Sequence, residues 1–153
     1  MNRVIRDRIA EFGRSIGMDE LISDSQDLVV LEFDGAPPIS LVILEEDSAA
    51  ISAVLGYLPE NNSEVLEELL ASNLLWRDTD GATLSVERYS RQVFIARQLS
   101  FAEIESTVLF SESIERFLDL AIHWAAVYER LISPDGSGPE GGLSPSLRSH
   151  ERL

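Results

Sequence analysis

An α+β domain is predicted, a five-stranded antiparallel sheet carrying three helices in the order α-β-β-β-α-β-β-α. Three observations lead there. Apolar residues recur at helical spacing in three separate blocks. Five runs rich in Val, Ile, Leu and Phe lie between those blocks, each bounded by turn residues. The connections inside each strand group are short, which suits antiparallel hairpins; parallel strands need crossovers of about a dozen residues or more.

The first helix is expected over residues 2–16, where Ile5, Ile9, Phe12 and Ile16 fall on one face and Gly17 supplies a C-cap. A polar stretch then leads into a strand over 28–33. Asp34-Gly35-Ala36-Pro37-Pro38 turns the chain into a second strand over 39–44. Glu45-Glu46-Asp47-Ser48 turns it again into a third over 50–58. Asn61 with Glu64 resembles a capping box for the second helix, whose broad stripe is Val65, Leu66, Leu69, Leu70 and Leu74. Asp78-Thr79-Asp80-Gly81 ends that unit. Residues 82–87 alternate cleanly, with Ala82, Leu84 and Val86 inward, and a hairpin loop at 89–91 returns a fifth strand over 92–99. Ser100-Phe101-Ala102-Glu103 is a capping box opening the last helix, with Ser111-Glu112-Ser113 as its candidate interruption. The core domain is thus expected over 1–132. Residues 133–153, rich in Ser, Gly and Pro without apolar periodicity, are expected to be a disordered tail.

Composition narrows the function classes. A chain of 153 residues with 44% apolar residues suits one domain with a buried core. It carries 27 acids against 12 bases, a net charge of −15, and every base is Arg. Such a surface repels phosphate backbones and anionic lipid, so no nucleic-acid or membrane partner is expected. The absence of Lys removes Schiff-base chemistry and a P-loop lysine; the absence of Cys removes disulfides, thiolate metal sites and cysteine catalysis. No apolar run approaches the roughly 20 residues that span a bilayer. The basic start, Met1 to Arg8, is followed by no apolar signal core, so cytoplasmic residence is expected.

Motifs for chemistry are weak. Residues 76–87 mimic a calcium loop through Asp78, Asp80, Gly81 and Glu87, but the first ligand position holds Trp76 and the exit reads as a strand; an Asp-Gly turn explains the pattern. Glu45-Glu46-Asp47 and Glu67-Glu68 read as solvated charge without catalytic partners. His123, beside Trp124, has no second His at ligand spacing, and His150 lies in the tail. A small enzyme using scattered carboxylates finds no support, and no metal or cofactor is expected. What remains is apolar surplus. The strands over 28–33 and 39–44 are apolar on both faces, more than one helical layer can cover. The second face is either covered within the monomer, buried in a homodimer, or offered to an apolar segment of another chain.

The element order, with particular residues, resembles the CesT/Tir-type chaperones of bacterial type III secretion. The carriers are Leu69-Leu70-Ala71-Ser72-Asn73-Leu74, then Gly81-Ala82-Thr83-Leu84-Ser85-Val86, then Val93-Phe94-Ile95-Ala96 with Leu99, and finally Phe117-Leu118, Ala121, Trp124 and Leu131. The Leu-Leu-x-x-Asn and Phe-Leu-x-x-Ala-x-x-Trp runs are the most specific of these. The resemblance implies a non-enzymatic homodimer that binds the extended N-terminal segment of a secreted effector without ATP. By position it implies effector contacts at Ile5, Ile9 and Phe12 on the first helix and Val29, Leu31, Leu41 and Ile43 on the early strands. It implies a dimer contact at Leu66, Leu70, Leu74, Trp76, Leu84 and Val86. A register error of one residue would exchange the strand faces. YbjN-like bacterial proteins share the element order and imply a different role, a regulatory or stress-associated binding module.

Overall fold

The computed structural model of the chain describes residues 2–19, 27–44 and 48–133. Its elements are α1 (Asn2–Ser15), β1 (Leu28–Leu31), β2 (Ile39–Ile43), β3 (Ala49–Tyr57) and α2 (Ser63–Ser72). A 3-10 turn (Leu74–Trp76), β4 (Thr83–Val86), β5 (Gln92–Leu99), α3 (Phe101–Glu105) and α4 (Thr107–Leu131) complete it. The α+β expectation and all five strands are met. The tail beyond Ser133, the polar stretch over 20–26 and the acidic turn over 45–47 lie outside the described residues.

All five strands form one antiparallel sheet in the order β1-β2-β3-β5-β4. The meander β1-β2-β3 is extended by the β4–β5 hairpin, which docks through β5, so the sheet ends in β1 on one side and β4 on the other. Alternation sorts the side chains. Val29, Leu31, Ile39, Leu41, Ile43, Ile51, Ala53, Leu84, Val93 and Ile95 all point to one face and are buried. Helix residues complete that core: Ile5, Ile9 and Phe12 of α1, Ile104 of α3, and Phe110, Ile114, Phe117, Ala121, Trp124 and Tyr128 of α4. Burying each of the larger of these contributes about 1.5–3 kcal/mol. Phe12 and Phe110 meet edge to face with centroids 6.2 Å apart.

Two local expectations change. Helix α2 starts one residue later than the Asn61 capping box implied: Asn62 is the N-cap, its side chain makes no capping bond, and Glu64 sits within the first turn. There its charge favours the positive end of the helix dipole instead of closing a reciprocal box. The last helix does break, but at Ser106 and not at 111–113. Ser106 is extended (φ −104°, ψ 120°) and its hydroxyl accepts from the Leu109 N–H at 3.2 Å, capping α4 afresh. Ser113 instead stays helical and buried, its hydroxyl donating to Glu103 at 2.6 Å. The Ser100–Glu103 box forms as expected, with both reciprocal bonds. Arg8 then ties α1 to the elbow, donating to the carbonyls of Ile104 (2.9 Å) and Glu105 (2.6 Å) at the end of α3.

One glycine is required by a close approach. Gly56 lies at a β-bulge in β3 with φ +155°, and a Cβ there would stand 2.9 Å from the Tyr128 ring. Tyr128 in turn donates its hydroxyl to the Tyr57 carbonyl at 2.8 Å, pinning α4 across the sheet.

Candidate functional site

The seven residues expected to meet an effector, Ile5, Ile9, Phe12, Val29, Leu31, Leu41 and Ile43, are all placed in the chain's own core, none more than 6% exposed. They share one face of the sheet, and α1, α3 and α4 cover it. The apolar surplus on β1 stands on the other face: Leu28 is 53% and Val30 51% exposed. Register carries this face inward along the sheet, Leu28 opposite the half-buried Val42 and Val42 opposite Ala50.

Strand β1 also offers its backbone. The Ile43 N–H donates to the Asp27 carbonyl at 2.7 Å, so the pair Asp27–Ile43 is hydrogen-bonded and, by alternation, so are Val29–Leu41 and Leu31–Ile39. Leu28 and Val30 are therefore the residues whose N–H and C=O groups point away from β2, toward a side where no other described strand pairs. Each presents an apolar side chain and two backbone hydrogen-bonding groups together. Arg6 of α1 donates to Asp27 at 2.6 Å, holding α1 beside the start of this strand, and Val4 is a further exposed apolar residue on that helix.

The opposite side of the sheet is built differently. Of the residues expected at a dimer contact, Leu84 is buried, Leu66 and Val86 are half-buried, and Leu70, Leu74 and Trp76 are exposed. Leu75, which the sequence did not single out, is 75% exposed and joins them. Leu75 and Trp76 have φ of +56° and +52°, left-handed conformations that cost a non-glycine residue roughly 1–2 kcal/mol each. The turn they make displays three consecutive large apolar side chains to solvent. Its only signal in the sequence was the unbroken apolar run itself, which read as part of a helical stripe.

Two of the candidate carboxylates, Asp80 and Glu87, are engaged in structural bonds. Asp80 accepts two bonds from Arg116, at 2.7 and 2.8 Å. The Asp78 carbonyl accepts from the Trp124 indole, and Glu87 accepts from the backbone N–H groups of Ser90 and Tyr89, which hold its carboxyl below the usual range. Among the described residues no three His, Asp or Glu side chains stand where they could hold a metal ion. A polar cleft of about 420 Å³ between the Asp80 turn, β5 and α4 contains Arg97, Glu103, Glu112, Ser113 and Arg116. Burial pushes the Glu103 carboxyl up, but bonds from Arg97, Ser113 and Ser100 outweigh it and hold the pKa at about 2. This cluster joins β5 to α3 and α4 as a structural tie. No described helix is long and apolar enough to cross a membrane.

The surfaces are therefore apolar and backbone-lined, suited to binding an extended chain on one side and an apolar surface on the other. Comparison with known proteins agrees in kind. A family model described as the Tir chaperone protein (CesT) family matches residues 8–125. A chain of the ExsC–ExsE complex superposes with a TM-score of 0.66 at 21% identity, covering 88% of this chain and 96% of that one. The HopA1–SchA chaperone–effector complex contributes a chain at TM-score 0.66 and 15% identity, over 84% of this chain and 95% of its own. The heterodimeric ExoU–SpcU complex from the type III secretion system of Pseudomonas aeruginosa gives 0.63 at 16% identity, over 84% and 97%. At these identities the likeness is one of fold. Nothing among the curated protein sequences matches the chain.

Proposed function

The chain belongs to the Tir chaperone protein (CesT) family, and from that premise we propose that it is a type III secretion chaperone. In this reading it binds the extended N-terminal segment of a secreted effector in the bacterial cytoplasm and keeps that segment competent for export. It works by binding alone, without ATP, metal or covalent chemistry.

The observation that carries the reading is the open side of β1. Leu28 and Val30 combine exposed apolar side chains with outward backbone groups, which is what an added strand needs: hydrogen bonds for affinity and alternate side-chain contacts for selection. The client segment lies along β1 and the neighbouring part of α1, touching Leu28, Val30 and Val4. The seven core residues Ile5, Ile9, Phe12, Val29, Leu31, Leu41 and Ile43 form the floor that holds these two elements in place. The homodimer forms through Leu70, Leu74, Leu75 and Trp76, an apolar group that a two-fold axis buries against its own copy.

A tagged chain recovered from its source bacterium, with secretion switched on, is expected to retain one dominant secreted protein through its N-terminal segment. Paired substitution Leu28→Asp with Val30→Asp is expected to weaken that binding by about 100-fold or more, because two anchor contacts are lost. Both side chains are half exposed, so the fold is retained, as circular dichroism will show. Undiminished affinity would overturn the β1 placement, and the absence of any secreted client would overturn the chaperone reading.

A further inference from the structure

We infer that Asn73 is an edge plug: its side chain occupies the hydrogen-bonding positions on β4 that an added strand would need, so that the sheet accepts an extended partner only at β1. The Glu87 N–H donates to the Gln92 carbonyl at 2.9 Å, which makes Glu87–Gln92 a hydrogen-bonded pair. By alternation Ser85–Phe94 and Thr83–Ala96 are also bonded, and the backbone of Leu84 faces outward, away from β5. Left alone, those groups would be an exposed template like the one on β1. They are not left alone. The Asn73 Nδ2 donates to the Leu84 carbonyl at 2.9 Å, and the Leu84 N–H donates to the Asn73 Oδ1 at 2.8 Å. An amide side chain carries a donor nitrogen and an acceptor oxygen on one carbon, so it reproduces the pair of bonds that one residue of a neighbouring strand would make.

The surroundings hold the plug in place. Asn73 closes α2, its own N–H bonded to the Leu70 carbonyl, and its carbonyl accepts from the Trp76 N–H at 3.0 Å, so its backbone is fixed by the helix on one side and the 3-10 turn on the other. The Trp76 indole lies against Thr83 through a 3.3 Å bond, and the Thr79 hydroxyl donates to the Ala82 carbonyl at 2.6 Å. In a strand of four residues, closing Leu84 leaves only Val86 facing outward, too little for a ladder. Asn73 is the terminal residue of the Leu-Leu-x-x-Asn run, whose leucines pack or project while the Asn does this work. It is a positioning residue. It denies β4 to a client or a second copy, and it anchors the turn that projects Leu74, Leu75 and Trp76. The plug stands on its own geometry; only its consequence for the path of a client rests on the chaperone reading.

Amide hydrogen exchange resolved by NMR on the full chain tests it. In the unaltered protein the Leu84 N–H is expected to exchange at least about tenfold more slowly than those of Leu28 and Val30, although all three face outward from edge strands. Asn73→Ala is expected to abolish that difference while the Ile95 N–H, inside the sheet, stays protected. Should Asn73→Ala fail to fold, Asn73→Ser, whose hydroxyl is too short to span both groups, takes its place with the same expectation. Fast exchange at Leu84 in the unaltered protein, or protection that survives either variant, would overturn the plug. Neither result depends on a client, whereas the β1 substitutions above depend on nothing at Asn73, so the two ideas fail separately.

Discussion

The two edges of this sheet are made from similar strands and end in opposite states. Strand β1 and strand β4 each have four residues, and each alternates exposed with buried side chains along its first three. On β1 the outward backbone belongs to the residues whose side chains are exposed, Leu28 and Val30, so template and apolar surface coincide. On β4 the outward backbone belongs to Leu84, whose side chain is buried, and Asn73 covers it. A difference of one residue in the parity between side-chain face and ladder direction separates a receptive edge from a closed one. Beside the closed edge the apolar surface is moved off the strand altogether and onto a strained turn. One edge is suited to an extended chain and the other to a packed surface.

Four experiments sharpen or break this contrast. The largest effect is expected beside the closed edge. Replacing Leu74 and Trp76 together by Ala should raise the dissociation constant of the proposed dimer about 100-fold, near 2.7 kcal/mol, with the monomer still folded because both side chains are more than half exposed. Sedimentation equilibrium reads this directly, and an unchanged constant would place the dimer contact elsewhere.

Next comes the tie that holds β5, the strand behind the closed edge, to α3 and α4. The Glu103 carboxyl is held at about 2 against an ordinary 4.5, so folding favours its ionised form. Its stabilisation is present above the unfolded pKa of about 4.5 and is lost as pH falls toward 2. Glu103→Gln should cost on the order of 2 kcal/mol at pH 7, with the difference from the unaltered protein shrinking steadily below about pH 4.5. Denaturant melts across that range check it; a gap independent of pH would assign the loss to packing.

A smaller effect isolates the open edge. Val30→Pro removes an outward N–H that β2 does not use, so the sheet should tolerate it, as edge strands do. Client affinity should fall about tenfold, the worth of a lost backbone bond and the added crowding, while the melting temperature shifts little. Equal binding would mean that the client uses side chains alone. The smallest effect concerns the strained turn. Leu75→Gly should relieve the left-handed conformation and raise the stability of dilute monomer by about 0.5–1 kcal/mol, while weakening association. A stability loss would show that Leu75 packs within its own chain.

Much of the fold was legible because short-range physics writes it. Apolar spacing located all five strands, the first two helices and the last helical region as one piece, Gly17 sits at φ +82° where the first helix was expected to close, and the Ser100–Glu103 box formed with both bonds. The family likeness was carried by residues 69–131, and the family model spans most of that stretch. The surfaces were less legible. Alternation told which residues of β1 and β2 share a face but not which face the helices would cover, and the seven residues assigned to the effector were the ones that the core took. Ile9→Asp, a natural test of a helix groove, would instead bury a carboxylate at a position 1% exposed and threaten the fold. The break at Ser106 is not legible in the sequence because a lone Ser is a weak capping signal, and the more conspicuous Ser-Glu-Ser run at 111–113 stays helical, with Ser113 bonded to Glu103.

By itself the sequence determined the class of this protein: the element order, the apolar alternation, the acidic surface and the likeness to secretion chaperones all follow from residue types at short spacing. The tertiary structure alone decided which edge is open. That outcome depends on the Asn73 side chain meeting Leu84, 11 positions away, and on the parity of one hydrogen-bonded pair at each end of the sheet. Neither is written in local periodicity, because a hydrogen bond between distant backbone and side-chain groups exists only once the strands have been brought into register.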